Sequence, residues 1–125
     1  MTGTYYIMPD QESGAAWTFG PEQLSRTVAG HWPGSRVSGP AGEVDVHDLT
    51  VRVAGEEVAL DYWPAEQFFA FRDQDPLELP FRIAYTILLE LAAGSRVIWV
   101  ADFDATPHPV ELSQGLAHAL SRSPG

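Results

Sequence analysis

Residues 46–73 read VHDLTVRVAGEEVALDYWPAEQFFAFRD, and the way this stretch folds back on itself decides the architecture. Leu49, Val51 and Val53 alternate with Thr50 and Arg52, and Val58, Leu60 and Tyr62 alternate with Ala59 and Asp61. Period-two alternation marks strands with one buried face. A two-residue turn at Ala54-Gly55 would set Val51 opposite Val58 and Leu49 opposite Leu60, gathering one apolar face. Arg52 would then face Glu57 on the other side as a cross-strand ion pair. If Pro64 to Gln67 forms a second turn, Tyr62 faces Phe69 and Leu60 faces Phe71. The aromatic cluster therefore splits. Tyr62, Phe69 and Phe71 join the core, and Trp63 and Phe68 turn outward near Asp61 and Arg72. A slip of one residue would exchange the two sets.

The flanking segments extend this sheet and cover it. TYYIM (4–8) is a short strand stopped by Pro9, and DQESGAAWTFG (10–20) is a loop. Pro21 suits a first helical position, and Leu24 and Val28 sit one turn apart behind it. Gly30 and Pro33 end that helix, and a short strand follows around Arg36–Ser38. After a turn at DQDP (73–76), PFRIAYTILLELAAG (80–94) is a helix apolar on nearly all sides, so it belongs at the centre of the fold. RVIWVADF (96–103) is a near-continuous apolar strand with an interior place in the sheet. PHPVELSQGLAHALS (107–121) is expected to be a last helix capped by Thr106 and weakened by Gly115. The order β-α-β-β-β-β-α-β-α predicts one two-layer α+β domain over 1–121, with a frayed tail at 122–125. Its mainly antiparallel sheet has about five to six strands, and about three helices pack on one face.

Composition sets further bounds. A chain of 125 residues that is 45% apolar can bury a core of its own as one domain. Cysteine is absent, which excludes disulfides, thiolate zinc sites and cysteine nucleophiles and suits a cytoplasmic setting. The net charge is −10, and all 7 basic residues are arginine. With abundant alanine, glycine and proline, this suggests a bacterial source of high GC content. So acidic a balance argues against nucleic acid, whose phosphates need clustered Lys/Arg, and permits a basic protein partner. The N-terminus lacks the pattern of a signal peptide. The longest apolar run, Ile83 to Ala93, is too short to span a bilayer. No Walker lysine and no Gly-x-Gly-x-x-Gly occur, so no cofactor is expected.

The sharpest local motif is VIWVADFDATPH (97–108). An apolar strand ending in Asp102-x-Asp104-x-Thr106 resembles the nucleophile motif of the haloacid-dehalogenase phosphatase superfamily. That resemblance would make Asp102 the nucleophile and Asp104 the acid/base. The chain departs from the pattern elsewhere. The motif arrives late, little chain follows it to supply metal ligands, and there is no lysine to steady a phosphoryl group. The plainer expectation is a strand end followed by a helix cap. A metal site is a second candidate, drawing on Asp45, His47 and Asp48 or on Asp102, Asp104 and His108, though neither segment has an established ligand spacing. His47 otherwise packs at the sheet margin beside Tyr62. His31 and His118 read as helix-end and solvated residues, and the serines form no nucleophile elbow.

The remaining candidate is the outward aromatic pair. Interfaces favour aromatic side chains and arginine, with charged residues at the rim. Trp63 and Phe68 with Asp61, Arg72, Asp73 and Asp75 would form such a patch, unless Trp17 and Phe19 cover the pair. The leading expectation is thus a non-enzymatic protein acting through protein–protein contact, similar in composition to small acidic bacterial immunity or accessory proteins. A small metal-dependent enzyme using Asp102, Asp104 and His108, or a homodimer built on the outer sheet face, are the alternatives.

Overall fold

Ala54 and Gly55 both adopt positive φ, 51° and 83°, so their turn is the left-handed two-residue kind that matches the twist of the adjoining strands. In the computed structural model, which describes residues 3–39, 42–72, 74 and 78–121, this turn joins β3 (His47–Val53) to β4 (Glu56–Trp63). Before them come β1 (Thr4–Pro9), α1 (Pro21–His31) and β2 (Arg36–Ser38). After them come β5 (Phe68–Arg72), α2 (Glu78–Leu91), β6 (Val97–Ala101), β7 (Asp104–Val110) and α3 (Leu116–Ser121). The strands form one antiparallel sheet in the order β2-β3-β4-β5-β1-β6-β7. The architecture is α+β.

The central register is the one that the alternation predicts. Val51 pairs with Val58, Leu49 with Leu60 and Arg52 with Glu57. The second turn sets Tyr62 opposite Phe69 and Trp63 opposite Phe68. It is closed by a hydrogen bond from the Gln67 amide to the Trp63 carbonyl at 2.7 Å. β1 lies inside the sheet, between β5 and β6. One face carries Tyr5, Ile7, Leu49, Leu60, Tyr62 and Phe69, all buried together with Leu24 and Val28 of α1 and Ile83, Ile87 and Leu88 of α2. The loop before α1 lies on this same inner face. Trp17 and Phe19 stack against each other at 5.6 Å, and Phe19 stacks on Tyr62 at 5.2 Å. Trp17 is pinned by hydrogen bonds to the Gln67 side chain and the Ser95 hydroxyl.

Helix α2 has buried residues on most of its circumference, as its composition predicts, and leaves Leu89 and Glu90 outside. Glu90 ties α2 to α1. The Thr27 hydroxyl donates to its carboxylate at 2.7 Å, and His31 Nε2 lies 3.1 Å away. These two contacts hold the carboxyl below its ordinary range. On the other side the Tyr85 hydroxyl donates to the Leu112 carbonyl at 2.8 Å, anchoring the segment that leads into α3.

One expected element differs. The expected helix over 107–121 is instead β7, a 3₁₀ turn at Leu112–Gln114 and the short α3. The strand count is therefore seven among the described residues rather than five or six. The cause lies in Thr106-Pro107-His108-Pro109. A residue before proline is pushed out of the helical region, so Thr106 and His108 are both held extended. Proline lacks an N–H, which a sheet tolerates at an edge, and β7 is an edge strand. Thr106 accordingly caps no helix. The opposite edge, β2, is only 3 residues long. Both edges thus resist addition of another strand. Residues 122–125 lie outside the described residues. Among the described residues no helix is long and apolar enough to cross a membrane.

Ala54 carries a Cβ in a left-handed conformation that costs an L-residue about 1–2 kcal/mol and that asparagine adopts more readily. Ala54→Asn is expected to stabilise the protein by about 1 kcal/mol in urea unfolding. An unchanged or lowered midpoint would contradict the turn geometry.

Candidate functional site

Among the described residues no helix packs over the outer face of the sheet, and the register sorts its side chains into rows. Trp63 of β4 faces Phe68 of β5; the β1–β5 pairs run to Ile7–Phe69, and Met8 and Phe68 are the next residues along the two strands. Met8 pairs with Ile98 of β6, which pairs with Pro109 of β7. This row is apolar across five strands, a span of about 19 Å at ordinary strand spacing. The neighbouring row runs Ser38, Asp48, Asp61, Ala70, Tyr6, Val100. It is polar on β2–β4 and apolar on β5–β6. A third row, through Arg36, Thr50, Ala59, Arg72 and Thr4, is mostly polar. The outer face is therefore amphipathic, with its apolar side along the Trp63–Pro109 row.

Aromatic rings set the shape of this strip. Trp63 and Phe68 stack with centroids 5.5 Å apart and planes 20° from parallel, and Phe68 meets Tyr6 edge-on at 5.4 Å. All three rings are half-buried by one another. They stand on the face opposite Trp17 and Phe19, so the loop before α1 does not cover the pair. Tyr6, Trp63, Phe68, Asp61 and Arg72 line a shallow groove of about 330 Å³. Other clefts are larger, and two of them, of about 520 and 480 Å³, flank the turn after α2, both walled partly by Ala93, Gly94 and Ser95. No ring stack or facing carboxylate pair lines these two.

At the polar end of the strip, Asp48 and Asp61 are directly opposed on β3 and β4. The Asp61 carboxyl is pushed up to about 6, first by partial burial and then by its hydrogen bond and like charge with Asp48; Arg72 opposes the shift. Among the described residues no salt bridge within 4.0 Å joins Arg72 to either carboxylate. Further along the hairpin, Arg52 and Glu57 form their expected pair at 3.4 Å, with both side chains exposed.

The structure thus brings together Trp63, Phe68, Asp61 and Arg72. Asp73 and Asp75 lie outside the described residues. Three members of the surface were missed from the sequence. Asp48 was within reach, because the turn that pairs Val51 with Val58 also pairs Asp48 with Asp61. Tyr6 and Met8 sit at outward positions of TYYIM, a signal that becomes useful only once β1 is known to lie next to β5.

Asp102, Asp104 and His108 occupy another place. β6 runs into a two-residue turn at Asp102-Phe103 and returns as β7, with Ala101 opposite Asp104. The phosphatase-like motif therefore opens a hairpin, where the helix-cap reading needed a following helix. The Asp102 amide donates to the Thr4 carbonyl at 2.9 Å, closing the turn against β1. Asp104 accepts from the Thr106 amide at 3.1 Å, and hydrogen bonds from the Thr106 side chain and backbone hold its carboxyl below the ordinary range. The His108 ring stacks on Trp99 at 4.2 Å. His47 is buried opposite Tyr62, with Nε2 3.3 Å from Asp45. His118 meets Glu111 at 3.2 Å with both side chains partly in solvent. Among the described residues no three histidine or acidic side chains lie close enough together to hold a metal ion. No protein-family model, curated protein or solved structure matches the chain.

The raised Asp61 carboxyl has a definite stability signature. Its folded pKa of about 6 lies above the ordinary 3.8, so the folded state keeps a proton that the unfolded chain has lost. Stability is then highest below about pH 4 with respect to this group and falls as pH rises toward about 6. Because the side chain is half-exposed, solvent screening reduces the effect to about 1 kcal/mol. Asp61→Asn is expected to raise stability by about that amount near pH 7.5 and to give no gain near pH 4 in paired urea titrations. An equal effect at both pH values would contradict the carboxyl pair.

Proposed function

We propose that the protein is a non-enzymatic docking module that binds a partner protein on the open face of its sheet, in the manner of a small acidic accessory or immunity-type protein. The observation that carries this reading is the apolar row from Trp63 to Pro109. Helices bury one face of the sheet, and the two edge strands are blunted by shortness and by proline. The outer face is the surface left for contact, and its apolar row is longer than a single exposed side chain would require. Stacked aromatic rings at the end of such a row are the side chains that most often dominate binding energy. The acidic charge of the whole chain favours encounter with a basic partner, and the absence of cysteine suits action in the cytoplasm.

A second copy of the chain is the other occupant that a specific observation favours. The outer face carries both Arg52–Glu57 and Arg72 near Asp61, so two such faces could offer each other opposite charges. Face-to-face packing of two sheets is an ordinary architecture.

The discriminating experiment compares the wild-type protein with a Trp63→Ser/Phe68→Ser variant as bait in extract from the source cells, alongside light scattering of both. Removing both stacked aromatics is expected to weaken partner binding about thirtyfold or more, while the fold persists because both rings lie outside the buried core. A basic protein retained stoichiometrically by the wild type and released from the folded variant is the expected result. A wild-type dimer that the variant dissociates would assign the face to self-association. Partner capture that is indifferent to the double substitution would overturn docking on this face.

A further inference from the structure

Asp48 and Asp61 face each other on adjacent antiparallel strands, where like charges directly opposed destabilise a sheet. Arginines stand nearby on the same face, Arg72 on β5 and Arg36 on β2. Among the described residues neither forms a salt bridge with the pair. The fold therefore keeps two directly opposed carboxyls that hydrogen-bond to each other, with Arg72 acting on Asp61 through its charge rather than through a salt bridge.

The neighbours of this pair are aromatic. Trp63 follows Asp61 by two residues on β4, so the two side chains share the outer face about 7 Å apart. Phe68 backs the indole by stacking on it, and Tyr6 closes the far side of the groove. Two carboxylates beside an aromatic stack suit one class of ligand group. A planar guanidinium or an ammonium can donate charge-assisted hydrogen bonds to the carboxylate oxygens on one side and lie against a ring on the other. A bare divalent metal ion would instead need more oxygen ligands than these two side chains offer.

We propose that the Asp48–Asp61 pair and the Trp63–Phe68 stack form a clamp for one arginine or lysine side chain of a basic partner protein, and that protonation of the pair releases it. The clamp rests on the docking reading above and adds the chemistry of the partner's contact. The apolar row receives the partner's apolar side chains, and the acidic end of the neighbouring row fixes its orientation. Charge complementarity selects the occupant: the chain carries −10 net, and the clamp lies at the acidic end of an otherwise apolar strip. Partial burial strengthens the attraction relative to a fully solvated carboxylate.

The ionisable groups that face Asp61 are Asp48 from β3, Arg72 from β5 and the Tyr6 phenol from β1. β2 adds Ser38 opposite Asp48, with Arg36 two residues away. Asp61 is the group raised into this range, to about 6. A bound cation has to displace that proton. Affinity should fall by up to about tenfold for each pH unit below about 6.

The test follows backbone and indole NMR signals of the full chain during titration with a short amphipathic peptide of leucine and arginine. A control peptide carries neutral citrulline in place of each arginine. Near pH 7.5 the arginine peptide is expected to shift Asp48, Asp61 and the Trp63 indole and to bind about tenfold more tightly than the control. That advantage should vanish near pH 5, and in Asp61→Asn or Asp48→Asn at either pH. Equal binding of both peptides on the apolar row would overturn the clamp and leave docking on this face standing. Shifts confined to other acidic turns, such as Asp102-Phe103-Asp104, would reduce the effect to diffuse attraction and overturn the clamp. No outer-face shift with either peptide would count against both the clamp and the docking reading.

Discussion

The two-residue turn at Ala54-Gly55 governs the whole molecule through register. Because side chains alternate across a strand, this one turn decides which residues of β3 and β4 meet the helices and which meet the outside. It gathers Leu49, Val51, Val58 and Leu60 into the core and, in the same step, opposes Asp48 and Asp61 on the other face. The turn at 64–67 passes the pattern to β5, so that Tyr62 and Phe69 pack inward while Trp63 and Phe68 stack outward. Core and candidate site are thus two sides of one register. A one-residue slip would bury two carboxylates and expose the aromatic core together.

Much of this was legible in the residues because alternation and turn chemistry act locally. The hairpin pairs, the outward Trp63 and Phe68, the Arg52–Glu57 pair and the apolar central helix all follow from neighbours in the chain. Two things did not follow. The place of β1 depends on pairing with β5 and β6, which are distant in sequence, and its inward residues look alike for an edge or a central strand. The apolar outer row was hidden for the same reason, since Met8, Ile98 and Pro109 become neighbours only through that pairing. The segment after Asp104 misled for a different cause. Its later residues suit a helix, but two prolines two positions apart hold the chain extended until Val110.

The same prolines help explain why the face, rather than an edge, carries the candidate site. A seven-stranded sheet has two exposed edges that could recruit further strands. Here one edge is a strand of 3 residues and the other lacks N–H groups at Pro107 and Pro109. On the proposed docking reading, contact through side chains replaces contact through backbone. The asymmetry of the outer face, apolar along one row and acidic at one end of the next, gives that contact a direction. The Asp102–His108 hairpin contributes to shape rather than to this surface, with its turn hydrogen-bonded to β1 and its histidine stacked on Trp99.

Hydroxyl-radical footprinting of the free protein, read by mass spectrometry, tests the division of faces most directly. The register requires rapid oxidation of Met8, Trp63 and Phe68, with Trp17, Tyr62 and Phe69 protected until the protein unfolds. Protection of Trp63 and Phe68 together with oxidation of Tyr62 and Phe69 would contradict the register, and with it the surface on which the functional reading stands.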